Sequence, residues 1–155
     1  MLKKLNNANR KIKLNMNQIH LEIDEMHSFV RSKDNKVWIW IAVDKNTGLI
    51  IAHKTGDRSD KSLKKLLKEI PKKVLDKCTF YTDKWKAYNI LPNERHKIGK
   101  EYTRRVERTF LTFRNSCARL VRRGIRYSKS MEMHNIIIDL LVYFYNKDII
   151  SKFGT

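Results

Sequence analysis

Thr79-Phe80-Tyr81-Thr82-Asp83-Lys84-Trp85 is a run of strand-forming residues that stops on a carboxylate. Thr, Phe and Tyr suit a pleated, packed surface. An acid just past them should therefore stand at the C-terminal rim of a sheet, where ligands gather in open α/β folds. One carboxylate does little there alone. The acids able to join it are few, 16 Asp and Glu against 34 Lys and Arg.

Working back toward the N-terminus, Pro71 ends a helix that Ser59 is placed to cap, with Leu63, Leu66, Leu67 and Ile70 on one face. Before it, Leu49 to Ala52 is a short apolar run, and Asp44-Lys45-Asn46-Thr47-Gly48 supplies turn chemistry. That turn joins the run to Val37-Trp38-Ile39-Trp40-Ile41-Ala42-Val43, which is apolar on both faces, as a central strand covered on both sides is. Earlier still, His20-Leu21-Glu22-Ile23-Asp24 alternates polar and apolar residues, the period of a strand with one buried face, and Asp24 closes it. Residues 1–17 carry five basic residues and no acid, and read as a basic arm or linker remnant.

Toward the C-terminus, Tyr102, Val106, Phe110, Phe113, Cys117 and Leu120 recur at helical spacing, giving a helix from Lys100 to about Val121. Glu107 lies about 100° round from Val106, on the border of that stripe. A last helix is expected from Ser130 to Asn146, with Met133, Ile136, Ile137, Leu140, Leu141 and Phe144 facing the core, and residues 151–155 form a tail. Three strands, a helix, a strand and two helices make a mixed α/β domain over residues 18–150, antiparallel first and parallel after the crossover.

The totals narrow the function. A chain of 155 residues fits one domain able to bury roughly two-thirds of its unfolded surface. Cys78 and Cys117 sit in apolar patterns without metal-ligand partners, which suits buried thiols in a reducing, cytoplasmic setting and argues against a zinc site. His27, His53, His96 and His134 are not at metal-binding spacing. No apolar run is long enough to span a membrane. A net charge of +18 points to a polyanion. From Arg95 to Lys129 twelve basic residues face two acids, so more than half of the net charge falls there. Lys84, Arg104, Arg105, Arg108, Arg119, Arg122, Arg123 and Lys129 are the DNA-binding candidates; phosphate contacts from them would position DNA without reading its sequence.

Asp24, Asp83 and Glu107 thus stand at two strand ends and a helix border, where three carboxylates can converge. Phosphodiester chemistry uses such a cluster to hold two divalent ions on the attacking and leaving oxygens, and oxygen ligands suit hard cations. Singly, each acid fits a turn, a cap or an ion pair, Glu107 having Arg104, Arg105, Arg108 and Arg114 within helical reach. Trp38 and Trp40 fit core packing; Trp85 and Tyr88 fit either packing or stacking on an unpaired base.

Ile23-Asp24-Glu25-Met26-His27-Ser28-Phe29-Val30 followed by Trp38 to Asp44 resembles the catalytic region of transposases of the insertion sequence 1 family. The likeness continues through Gly56-Asp57-Arg58-Ser59, Tyr81 to Tyr88, Glu94-Arg95-His96, Val106-Glu107-Arg108 and Arg119 to Arg123, ending at Tyr127-Ser128-Lys129-Ser130. It implies a ribonuclease H-like domain with an Asp-Asp-Glu triad falling on Asp24, Asp83 and Glu107, and Mg²⁺ or Mn²⁺ as cofactor. It implies cutting of double-stranded DNA at the element's ends and joining to a target, by an oligomer on DNA, with an upstream-frame DNA-binding part supplied by frameshift fusion. Bound to DNA, such a protein is nucleoid-associated. The residues also fit a non-catalytic DNA-binding or inhibitory fragment of a decaying element. A nuclease acting on RNA–DNA hybrids is a third reading.

Overall fold

The computed structural model describes residues 18–153; the basic arm expected over 1–17 lies outside them. Nine elements follow in chain order: β1 (His20–Val30), β2 (Ser32–Asp44), β3 (Ile50–Gly56), α1 (Asp60–Glu69), a single turn α2 (Lys72–Leu75), β4 (Thr79–Thr82), β5 (His96–Ile98), α3 (Arg104–Ser116) and α4 (Met131–Phe153). Short 3₁₀ turns fill several of the connections.

The strands form one sheet in the order β3-β2-β1-β4-β5. β1, β2 and β3 pair antiparallel, whereas β4 and β5 add in parallel. Each strand face meets a helical layer. Leu21, Ile23, Trp40, Ala42 and Phe80 pack with Leu63, Leu66 and Ile70 of α1. On the other face Met26, Ile39, Ile41 and Val43 pack with Val106, Phe110 and Phe113 of α3 and with Ile138 and Val142 of α4. Burying each such side chain contributes about 1.5–3 kcal/mol. The mixed sheet is the one the order of elements implies, and it is ribonuclease H-like, as the family resemblance implies. Among the described residues no helix is long and apolar enough to cross a membrane.

Four sequence-based expectations need correction. First, Asp24 does not close β1, which runs on to Val30. Both faces of β1 are covered: Glu22 is 1% exposed and Glu25 is 7% exposed. Polar residues continue the strand because each has a partner on another element, which local alternation does not reveal. Second, α3 ends at Ser116, and Cys117 is extended (φ −132°, ψ 109°). Asn115, Ser116 and Cys117 are weak helix formers, so Leu120 reaches the core from a separate 3₁₀ turn. Cys117 is only half-buried, unlike Cys78.

Third, α4 presents a different face from the expected one. His134, Ile138, Val142 and Asn146 are buried, while Met133, Ile136, Leu140 and Phe144 are exposed. The helix is apolar round most of its surface, so hydrophobicity alone does not orient it. Two polar residues do. His134 Nε2 meets Ser28 Oγ at 3.2 Å. The Asn146 amide donates to Ile50 O and accepts from Ile50 N, both at 2.9 Å, closing the outer edge of β3. The helix also continues through 151–153, where a tail was expected. Fourth, Ser59 is the N-cap residue of α1 but makes no capping bond through its side chain. Its hydroxyl donates to Asp57 instead, as does that of Ser62 at 2.6 Å.

The turn between β2 and β3 is as the sequence suggests. Asp44 takes the Thr47 N–H at 3.0 Å and the Thr47 hydroxyl at 2.6 Å, and Gly48 adopts φ +81°. Glycine suits that conformation, and a Cβ there would also meet the Arg105 guanidinium at 2.7 Å, which an exposed arginine can relieve by moving.

Candidate active site

β1 and β4 pair in parallel from His20–Thr79 to Glu22–Tyr81. Carrying that register forward sets Asp24 level with Asp83, just past the end of β4. Residues level with one another on adjacent strands share a face. Glu22, Asp24 and Met26 alternate onto the α3 side, where Met26 joins the core with Val106. Asp83 is held by its own turn, its Oδ1 accepting the Trp85 N–H at 2.8 Å.

Glu107 enters from the first turns of α3 beside buried Val106. It is exposed, and its Oε1 accepts the Thr103 hydroxyl at 3.2 Å. Among the described residues it makes no ion pair, so the arginines near it in sequence do not neutralise it. The three acids act on one another. Burial first, then the charge of Glu25, with Asp83 and Glu107 adding to it, pushes the Asp24 carboxyl up to about 7, against a backbone hydrogen bond from Glu25 that lowers it. The cluster is open: among the described residues no three His, Cys, Asp or Glu side chains close on a point as metal ligands do.

Sequence reading missed Glu22. Its Oε2 accepts the Val106 N–H at 2.8 Å, and the Arg105 N–H bonds it too. A helix N-terminus leaves N–H groups unpaired and carries partial positive charge; here a sheet carboxylate satisfies them. The strand bearing Asp24 is thereby tied to the helix bearing Glu107. Burial raises the Glu22 carboxyl, and these backbone bonds and Lys45 draw it part of the way back. The signal was its place two residues before Asp24, on the same face.

Glu25, Tyr88 and Arg58 form a second buried group on the α1 side. Glu25 Oε2 takes the Tyr88 hydroxyl at 2.5 Å and Oε1 takes Arg58 Nε at 2.7 Å. Tyr88 is 1% exposed, so packing rather than base stacking is its role. Trp40 is fully buried, whereas Trp38 and Trp85 are partly exposed. The histidines are dispersed: His53 pairs with Asp139 at 2.6 Å and His96 with Thr82 Oγ1 at 2.7 Å.

The basic candidates lie at the surface. Lys84, Arg104, Arg105, Arg108, Arg122, Arg123 and Lys129 are exposed and Arg119 is half-buried. Lys84 follows β4, and the others are divided between α3 and the segment after it rather than strung along one helix. Arg114 was not among them, yet its Nε is buried without an acceptor. Burial and the repulsion of Arg122 lower its pKa, and the charge of Asp24 raises it.

A ribonuclease H-like sheet with acids level on adjacent central strands, a third acid on the covering helix and a cationic rim defines the class of nucleic-acid-processing domains. The family described as IS1 transposase matches residues 18–148. The chain is 35% identical over 122 residues to the insertion element iso-IS1n protein InsB of Shigella dysenteriae, covering 78% of this chain and 92% of that one. It is 34% identical over 118 residues to the insertion element IS1 protein InsB of Shigella flexneri, covering 76% and 88%. An IS1 InsB protein of Escherichia coli strain K12 is also 34% identical, with 76% of this chain and 70% of that one covered. The chain belongs to the IS1 transposase family.

Proposed function

We propose that this transposase cuts DNA phosphodiesters at the ends of an insertion sequence and joins them to target DNA, with Asp24, Asp83 and Glu107 as the acids that hold its divalent metal. The observation that carries this reading is the register that sets Asp24 level with Asp83 on adjacent strands, with Glu107 on the covering helix near enough to act on Asp24, although burial and Glu25 are the larger causes of the rise of its carboxyl to about 7. Asp83 and Glu107 both add to the cost of charging Asp24, and a divalent cation joining the three acids would offset that cost. The donor set is all oxygen, which suits Mg²⁺ or Mn²⁺. Bound there, such ions would supply an activated attacking oxygen and neutralise the leaving one.

The chain's own residues do the rest. Arg114, together with Arg122, would receive a phosphate on the α3 side of the acids, and Lys84, Arg104, Arg105, Arg108, Arg119, Arg123 and Lys129 would track the flanking backbone. Glu22 holds Glu107 at its distance from Asp24 through α3. Sequence-specific capture of the element's ends would fall to an upstream-frame part, and pairing of two ends to an oligomer assembled on DNA.

The openness of the acid cluster favours a second reading, a non-catalytic DNA-binding or inhibitory member of the family. One experiment separates the two. Nicking and strand transfer are measured on pre-nicked element-end duplexes with Mn²⁺, for the wild type and for Asp24→Asn, Asp83→Asn and Glu107→Gln. The transposase reading expects activity in the wild type, a loss of at least about a hundredfold in each variant, and unchanged salt-sensitive DNA binding. Equal activity in all four proteins sinks the triad, and inactivity of all four with intact binding supports the second reading.

A further inference from the structure

Arg58 lies in the connection between β3 and α1, which is firmly held. Trp40 Nε1 donates to Asp57 O at 2.8 Å, and the Asp57 carboxylate takes the Ser62 hydroxyl at 2.6 Å. From this loop the Arg58 side chain enters a slot between two indoles. Its guanidinium carbon lies 4.5 Å from the centre of the Trp38 ring and 3.9 Å from that of Trp85. Arg58 Nε donates to Glu25 Oε1 at 2.7 Å, where the Arg58 side chain is 36% exposed and that of Glu25 is 0% exposed.

The contacts to the two indoles and the Nε edge of the guanidinium are therefore used. The outer edge is not: among the described residues neither Nη group donates to a protein acceptor. A fork of N–H donors fixed in plane matches the oxygens of a phosphate. Holding a rotamer-rich side chain in place before binding removes an entropy cost that binding would otherwise incur.

The slot is built onto the acid cluster. Glu25 follows Asp24 in β1, and the Trp85 N–H is bonded to Asp83 Oδ1 at 2.8 Å. The surroundings are cationic, since Arg58, Lys36, Arg114 and Arg122 all act on His27 and lower its pKa, after burial as the first cause. Trp85 already has Arg58 against one ring face, so the slot presents a cation's edge rather than a free aromatic surface for a base.

We propose that Arg58 is a phosphate-binding residue, its Nη edge holding a backbone phosphate of the DNA strand that passes the Asp24–Asp83 side of the site. The inference rests on the transposase reading and deepens it, adding a contact on the α1 side of the sheet, opposite the basic residues of α3. One phosphate would then be held on each side of the reacting bond. Positioning between two such points brings a phosphodiester to the acids in a fixed orientation.

The test uses metal-free protein in EDTA and a short fluorescein-labelled duplex, with binding followed by anisotropy from low to moderate salt. Arg58→Ala strands the buried Glu25, so it is paired with the double variant Glu25→Gln/Arg58→Met, which fills the slot and leaves no unpaired charge. Glu25→Gln alone is the control. Loss of one phosphate contact reduces the magnitude of the log K against log salt slope by about 0.9. The expected result is that reduction, with roughly tenfold weaker binding, in both Arg58 variants and not in Glu25→Gln. Replacing single phosphates by neutral methylphosphonates should show one position that weakens the wild type and has no effect on the double variant. A double variant with the wild-type slope and the wild-type methylphosphonate pattern overturns the inference and leaves Arg58 as the partner of Glu25 only. A wild type without salt-dependent binding overturns the transposase reading of the site itself.

Discussion

Replacing Asp24 by Asn should make the protein more stable at alkaline pH while it removes the chemistry. In the folded chain the Asp24 carboxyl stands at about 7 against an ordinary 3.8. A difference of about three units is worth about 4 kcal/mol at 1.36 kcal/mol per unit. Asp24 is half-buried, and water reaching it reduces the expected value to about 2–4 kcal/mol. The sign follows from proton uptake. Between about pH 4 and 7 the native state holds a proton that the unfolded state has lost, so stability due to this group falls as pH rises and is flat above 7. Asn cannot ionise, yet its side-chain oxygen can still accept the Glu25 N–H that Asp24 Oδ1 now takes at 2.9 Å. Glu22 and Glu25 are raised in the same direction but remain in both proteins, so the difference between wild type and variant isolates Asp24. Urea unfolding in EDTA at pH 4.5, 6, 7 and 8 measures it. The variant's advantage should be near zero at the lowest pH and grow to its full size by pH 8, with equal m-values. A variant less stable than the wild type at pH 8, or an advantage that does not change with pH, would refute the reasoning.

Two further outcomes are expected. Glu22→Ala leaves buried N–H groups at the start of α3 without an acceptor and should cost about 1–3 kcal/mol. Glu22→Gln, neutral and still an acceptor, should stay close to the wild type in urea unfolding and keep kcat, whereas Ala should lower kcat more than it raises KM. Equal loss from both substitutions would show that charge, not the hydrogen bond, is what matters. Asn146→Ala removes both bonds to the Ile50 backbone and should cost about 2 kcal/mol. Amide exchange at Ile50 should quicken well beyond that in β2, and an unchanged rate there would disprove the clamp.

What could be read in the sequence was what local pattern encodes. Thr79 to Thr82 form a strand stopping at Asp83, the run from Val37 is a doubly covered strand, and Asp44 to Gly48 form a turn, because each depends on residues near one another in the chain. The mixed sheet followed from the order of these pieces. What was hidden depended on distant partners. Glu25 continues β1 because Arg58 and Tyr88 meet it from elsewhere. The orientation of α4 was illegible because Asn146 owes its burial to Ile50 and His134 to Ser28. At the site, Asp24, Asp83 and Glu107 could be singled out from strand ends and helix borders, although Asp24 proved to lie within its strand. Glu22 could not be assigned a task, since its partner Val106 lies 84 residues away.

The Glu22 link also fixes when the site comes into being. All five strands are complete by Ile98, whereas the sheet face that carries Asp24 is covered by α3 and α4, which come later in the chain. Only when the segment from Arg104 to Ser116 emerges can Val106 find Glu22 and swing the third acid into place. Contacts across so long a stretch of chain close late in folding. A chain lacking the residues from 104 onward thus has neither Glu107 nor the helices that bury the sheet face carrying Asp24, so the proposed cluster cannot form in it.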